Sequence, residues 1–274
     1  MYVRCILSFY TQAFQKKGGR RGSSTFLNLK YIHDQNTPLE KFEEIADFCQ
    51  SLSALFLDTP QHHVLDKVAN FSSIQKLKFN KIEFNSLLGL LADTNKRLTC
   101  LDLVSCTGSL DLGKLSRFCP NLVSLEIYYS KNVVAKGQVF FPCLRKVVIY
   151  STEVSGDAAN DLLENSPNLQ HVTLNSASTL DFNRLVQIVN KGLLNNVEEF
   201  ALMSAPLLDL NSLELLIDRL PKLNIVGRLE GWKVTAHQLE NLRDRVKKQN
   251  FDLTLWYNLP LHVELAMEPD ILDF

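Results

Sequence analysis

Side chains capable of chemistry are plentiful in this 274-residue chain, but their spacing fits none of the arrangements that catalysis or metal binding requires. His62 and His63 are adjacent, so they leave a helix in different directions and cannot share a face as zinc ligands one turn apart would. The six cysteines, Cys5, Cys49, Cys100, Cys106, Cys119 and Cys143, form no CxxC pair and stand at no zinc-finger spacing from the histidines. Cys106 and Cys119 fall where a small buried thiol packs well, which points to reduced core cysteines of an intracellular protein. Gly18-Gly19-Arg20-Arg21 lacks the Gly-Lys-Ser/Thr of a phosphate loop, and neither HExxH nor GxSxG occurs. Asn70-Phe71-Ser72 matches the glycosylation sequon, a match expected by chance in a chain of this length. The expectation is no enzyme, no cofactor and no metal.

What the sequence does contain is a repeat. Leu98–Cys106 reads Leu-Thr-Cys-Leu-Asp-Leu-Val-Ser-Cys, with apolar residues at positions 1, 4 and 6 and a cysteine at 9. This is the unit of a leucine-rich repeat. Position 4 recurs as Leu27, Leu55, Leu77, Leu101, Leu125, Val147, Val172, Phe200, Val226 and Leu253, in steps of 22 to 28 residues. Position 6 follows as an apolar residue everywhere except the ninth repeat, which has Arg228 there and Leu229 one place on. A bulge or register shift is expected at that strand. Between the strands lie segments with helical periodicity, including Pro38–Cys49, Phe84–Ala92, Leu110–Phe118, Asp157–Asn165, Phe182–Leu194, Leu210–Leu220 and Thr235–Gln249. The stretch between Leu122–Ile127 and Leu144–Ile149, which contains Val133 and Val134, suits an irregular return. No single unit buries its own leucines, so the units must stack. The predicted fold is an α/β leucine-rich-repeat solenoid, a curved horseshoe with a parallel concave sheet and convex helices.

Strand residues at positions 3, 5 and 7 point away from the leucines and are free to meet a partner. Position 3 contributes Lys76 and His171, and position 5 contributes Lys78, Asp102 and Glu126, a charge alternation able to orient a partner. Position 7 contributes Val104, Tyr128, Tyr150 and Met203, an apolar and aromatic ladder of the kind enriched at interfaces, with Trp256 at its end expected under a cap. These nine residues, Lys76, Lys78, Asp102, Val104, Glu126, Tyr128, Tyr150, His171 and Met203, form the predicted partner-binding surface. Cross-strand aromatic pairs also stabilise a sheet by themselves, by roughly 0.2–1 kcal/mol each, so a purely structural role stays open.

The organisation read from the sequence is residues 1–23 as a cap helix, a remnant of a longer chain or a targeting segment, residues 24–257 as about ten repeats, and residues 258–274 as an acidic tail or cap. Residues 1–33 carry six Lys/Arg and no acid, while the tail carries four acids and no Lys/Arg. A net charge of −1 gives no general attraction to nucleic acid or to an anionic membrane, and no apolar run approaches 18 residues.

A second feature precedes the strands: Cys119-Pro-Asn-Leu122, Phe141-Pro-Cys-Leu144, Ser166-Pro-Asn-Leu169 and Leu220-Pro-Lys-Leu223. Proline ends a helix and biases the residue before it toward extended backbone. The Pro-x-Leu entry, the Leu-x-x-Leu-x-Leu strand and the repeat length together resemble the leucine-rich domains of the F-box/leucine-rich-repeat proteins, of the RNI-like superfamily, over residues 24–257. The resemblance implies recognition of a protein substrate for a cullin ubiquitin ligase (SCF), in the cytoplasm or nucleus. The family's F-box, which docks the ligase adaptor, is not recognisable here, so the adaptor is expected as a partner only if an F-box is hidden in this chain or lies outside it; Thr37-Pro38-Leu39-Glu40 reads as part of a repeat helix. The alternatives are a mitochondrial repeat protein acting in assembly, with residues 1–24 a cleaved presequence, and a structural repeat with no discrete site.

Overall fold

The computed structural model describes residues 31–35, 51–60, 62–94, 97–248 and 252–257. Its strands are β1 (Tyr31–Gln35), β2 (Ala54–Asp58), β3 (Lys76–Asn80), β4 (Cys100–Val104), β5 (Ser109–Asp111), β6 (Ser124–Val134), β7 (Lys146–Val154), β8 (His171–Leu174), β9 (Glu199–Leu202), β10 (Ile225–Gly227) and β11 (Thr254–Leu255). The helices are α1 (His62–Val68), α2 (Phe84–Thr94), α3 (Leu112–Phe118), α4 (Gly156–Glu164), α5 (Phe182–Asn190), α6 (Leu210–Arg219) and α7 (Ala236–Lys248). All strands join one parallel sheet in the order β1-β2-β3-β4-β6-β7-β8-β9-β10-β11, with β5 set beside β6. Consecutive order with every pair parallel is the topology of a solenoid, in which each unit touches only its neighbours.

The register shows why the units stack. Leu55, Leu77, Leu101, Leu125, Val147, Val172, Phe200 and Val226 are level across successive strands, and all are completely buried. Together with position 6 and the apolar helix faces they form one continuous core. Helices start at side-chain caps: Asp111, Ser155, Asp181 and Asp209 each accept a bond from a first-turn backbone N–H.

Successive strands leave the sheet by the same device. Thr59, Lys81, Ser105 and Tyr129, each one residue past position 7, have left-handed backbone. The first three donate their N–H to the carbonyls of Asn80, Val104 and Tyr128 on the next strand. At Tyr129 the chain does not leave; β6 runs on to Val134, so the turn residue becomes a bulge and the pairing with β7 slips between Tyr128 and Ser130. Val133 and Val134, expected in an irregular return, therefore lie in a strand.

Three other expectations need correction. The strand beside β2 is Tyr31–Gln35, with Ile32 and not Leu27 level with Leu55; Leu27 and the expected helix Pro38–Cys49 lie outside the described residues. In the last unit Leu255, not Leu253, is level with Val226. At the ninth unit the register stays in step through Gly227, and the strand ends at the left-handed Arg228 instead of bulging. A short 3₁₀ turn, Leu229–Gly231, follows. Gly231 is pressed so tightly on the eighth unit that a Cβ there would lie 1.6 Å from the Met203 carbonyl oxygen.

Two substitutions test this stacking by urea unfolding. Leu101→Ala, at a completely buried site, is expected to cost about 2–5 kcal/mol. Gly231→Ala requires backbone movement and is expected to cost about 1–3 kcal/mol or more. A loss below about 0.5 kcal/mol for either would show that the units do not depend on these contacts.

Candidate interaction surface

The non-core face of the sheet collects the predicted residues in three rows. Lys76, Cys100, Ser124, Lys146, His171 and Glu199 are level in the first. Lys78, Asp102, Glu126 and Val148 are level in the second. Asn80, Val104, Tyr128 and Tyr150 are level in the third. The structure thus brings eight of the nine predicted residues together; Met203, one residue past the end of β9, lies farther along the solenoid. Trp256 directly follows Leu255, so it falls two places earlier in its repeat than expected, and it is half-buried.

The tyrosines are not an open ladder. Tyr128 is buried and Tyr150 half-buried, and their rings stack with centroids 6.2 Å apart. The Tyr128 hydroxyl donates to Glu126 Oε2 at 2.7 Å, and Tyr150 accepts a bond of 3.0 Å from Arg228 Nη2. Their neighbour Tyr129, the bulge residue, is by contrast 71% exposed. Around the pair, Lys146 Nζ contacts Glu126 Oε1 at 2.6 Å, His171 faces Glu199 at 3.2 Å, and Lys78 Nζ lies 5.1 Å from the centre of the Phe56 ring. At the edge of β7 the Asn175 amide bonds both the N–H and the carbonyl of Ser151. It takes the place of the next strand's backbone where β8 has ended.

Arg228 is the residue that sequence reasoning missed as part of this surface. It occupies position 6, where an apolar residue belongs, and that misfit was the available signal. Left-handed backbone turns it out of the core, and Leu229 fills the vacated place, completely buried. Arg228 itself is buried, and its guanidinium contacts both Tyr150 and Glu230.

Burial dominates the electrostatics. Asp102 is held up to about 7 by desolvation and then by Glu126, against the opposing pull of Lys78, Lys146 and Lys76. Desolvation lowers Lys78, while Asp102 and Glu126 oppose that shift. The Tyr128 hydroxyl is raised by burial and by the Glu126 carboxylate that it serves. Burial also lifts the Cys106 and Cys119 thiols, to about 11 and about 12, so both stay protonated and unreactive at neutral pH. Among the described residues no group of three or more His, Cys, Asp or Glu is placed to hold a metal ion. No helix among them is long and apolar enough to cross a membrane.

No protein-family model matches this chain, and no curated protein matches it. Solved structures do. A chain of the yeast Rad7 and Elc1 complex superposes with a TM-score of 0.52 at 13% identity, over 83% of this chain and 69% of the other. An internalin, InlF of Listeria monocytogenes, gives a TM-score of 0.56 at 15% identity, over 85% of this chain and 68% of the other. At such identities the likeness is one of fold. This chain is a leucine-rich-repeat solenoid of the α/β class.

The raised Asp102 makes stability depend on pH. A carboxyl whose folded value exceeds its unfolded one contributes fully below the unfolded value, near 3.8, and loses that contribution as pH rises through about 7. Urea midpoints of the wild type are expected to fall between pH 5 and pH 8, and Asp102→Asn to flatten the fall. Parallel profiles for the two proteins would place Asp102 in the ordinary carboxylate range.

Proposed function

We propose that the concave face of the sheet is a protein-binding surface and that the chain serves as a recognition scaffold. The observation that supports this reading most directly is the Tyr128–Tyr150 stack, fixed at both ends by Glu126 and Arg228 and bordered by the half-buried side chains of His171, Glu199 and Lys146. Interfaces favour rigid aromatics beside orienting charges, because such groups lose little conformational freedom on binding. The more specific reading is substrate recognition for a cullin ubiquitin ligase. Its support is the resemblance in the Pro-x-Leu entries and the repeat pattern. A solved solenoid of similar fold comes from a complex of Rad7 with another protein, Elc1.

The test is an affinity pull-down from cell extract with the wild type and with Lys76→Ala/His171→Ala/Glu199→Ala, whose sites are only partly buried, so the variant should keep its melting temperature. Proteins captured by the wild type and lost with the variant are the expected result. An identical set with both would overturn the assignment to this face. Recovery of a cullin-ligase adaptor with both proteins supports the receptor reading; recovery of other partners without any adaptor removes the ubiquitin link and leaves the scaffold.

A further inference from the structure

Among the described residues, the acids on the concave face are Asp58, Asp102, Glu126, Glu199 and Glu230, and all but Asp102 have a partner there. Glu126 contacts Lys146 Nζ through Oε1 at 2.6 Å and accepts the Tyr128 hydroxyl through Oε2 at 2.7 Å. Glu199 faces His171 at 3.2 Å, and Glu230 lies 3.5 Å from Arg228. Asp58 accepts from Asn80 Nδ2 at 2.9 Å and from the Thr59 hydroxyl at 3.1 Å. Asp102 is only 5% exposed, yet among the described residues it receives no hydrogen bond and no ion pair. Buried polar groups are ordinarily satisfied. A carboxylate enclosed without donors takes up a proton instead.

The charges around Asp102 decide what that proton serves. Asp102 is level with Lys78 of β3 on one side and with Glu126 of β6 on the other. Lys146 of β7 and Lys76 of β3 also act on it. Burial raises the Cys100 thiol on its own strand and the Tyr128 hydroxyl on β6, so neither is the group that ionises near neutral pH. With Asp102 ionised, the concave side of β2 to β7 holds Asp58, Asp102 and Glu126 against Lys76, Lys78 and Lys146, a strip of no net charge. Proton uptake by Asp102 gives the strip an excess of positive charge and turns an acceptor into a donor. The excess lies on β3, because Lys146 is in contact with Glu126. Such a strip repels a further cation and suits a carboxylate, which accepts from an ammonium and from a carboxylic O–H together.

We propose that an acidic segment of a partner protein docks on the concave face over β3 and β4, its carboxylate held by Lys76 and Lys78 and by a proton that Asp102 carries, so that docking takes up a proton from solution. The inference rests on the reading of this face as a protein-binding surface and adds the chemistry of the partner. Because the partner prefers the protonated form, its affinity falls as pH rises through the range in which Asp102 ionises. A pull-down that responds to the surface variant while an acidic probe fails to bind removes this inference and leaves the proposed function standing.

The probe is a rhodamine-labelled hexaaspartate peptide, whose carboxylates stay ionised above about pH 6, titrated with the purified full chain at constant ionic strength and read by fluorescence anisotropy. Its affinity is expected to fall about tenfold between pH 6 and pH 8.5. Asp102→Asn, whose amide donates as the protonated acid does, is expected to bind at pH 8.5 as tightly as at pH 6, with an unchanged circular dichroism spectrum. Lys76→Gln is expected to weaken binding at both. A measurement on the wild type alone serves as a second check: calorimetry at pH 8 in buffers of different ionisation enthalpy should show up to about one proton taken up per peptide. No binding at pH 6, or an affinity indifferent to pH, would overturn the proposal. Preferential binding of hexalysine would overturn it in favour of a cationic segment. A pH dependence that persists in Asp102→Asn and vanishes in His171→Gln would move the proton to His171 and overturn the role given to Asp102.

Discussion

Level stacking of position 4 across successive strands is the constraint from which the rest of the molecule follows. A single Leu-x-x-Leu-x-Leu strand has nowhere to bury its leucines except against the leucines of the strands on either side. Parallel pairing without a slip places Leu77 on Leu101 and Leu101 on Leu125, and the helices close the other side of that column. Because each core position is shared between neighbours, no unit is stable alone and each borrows stability from the next. The same pairing dictates the opposite face. If every fourth position is level, so are every third, fifth and seventh, and whatever side chains stand there are forced into rows about 4.8 Å apart.

Those enforced rows account for the electrostatics. Asp102 and Glu126 are level on adjacent strands, so two carboxylates are held side by side by a pairing that serves the leucines behind them. Lysines flank them on both sides, Lys78 from β3 and Lys146 from β7, and keep the strip from being simply repulsive. Enclosure still wins for Asp102, whose largest influence is desolvation. Water is a better solvent for a carboxylate than two partly shared ammonium groups in a confined strip.

The interior of the repeat array was legible in the sequence and its ends were not, for physical reasons. From Leu55 to Val226 the index residues are those that the register makes level, because each strand has neighbours that must agree. In the last unit Leu253 and Leu255 are two apart and point to the same side, so a slip of two residues leaves both usable and the pattern cannot choose between them. In the first, Asp34 lies level with Leu57, and a charged residue there hid the repeat behind the more regular Leu27 and Leu29. Of the candidate surface, the rows followed directly from the period. The closure of the tyrosines did not, since it depends on Arg228, a residue 78 positions from Tyr150.

Arg228 also shows how a solenoid can place a charge at a core position without burying it in the core. Had β10 continued for one more residue, this side chain would have pointed at the helices, where an unpaired guanidinium costs several kcal/mol. Left-handed backbone is the cheaper solution, costing an L-residue about 1–2 kcal/mol. It ends the strand, delivers Leu229 to the core and swings the guanidinium to the concave side. Three strand spacings, about 14 Å, separate β10 from β7, farther than either side chain reaches alone. The contact with Tyr150 therefore requires both side chains to lean along the sheet and the sheet to curve inward between them. Curvature, which the longer helical side of each unit imposes, is in this sense what allows a residue of the ninth repeat to fix an aromatic ring in the sixth.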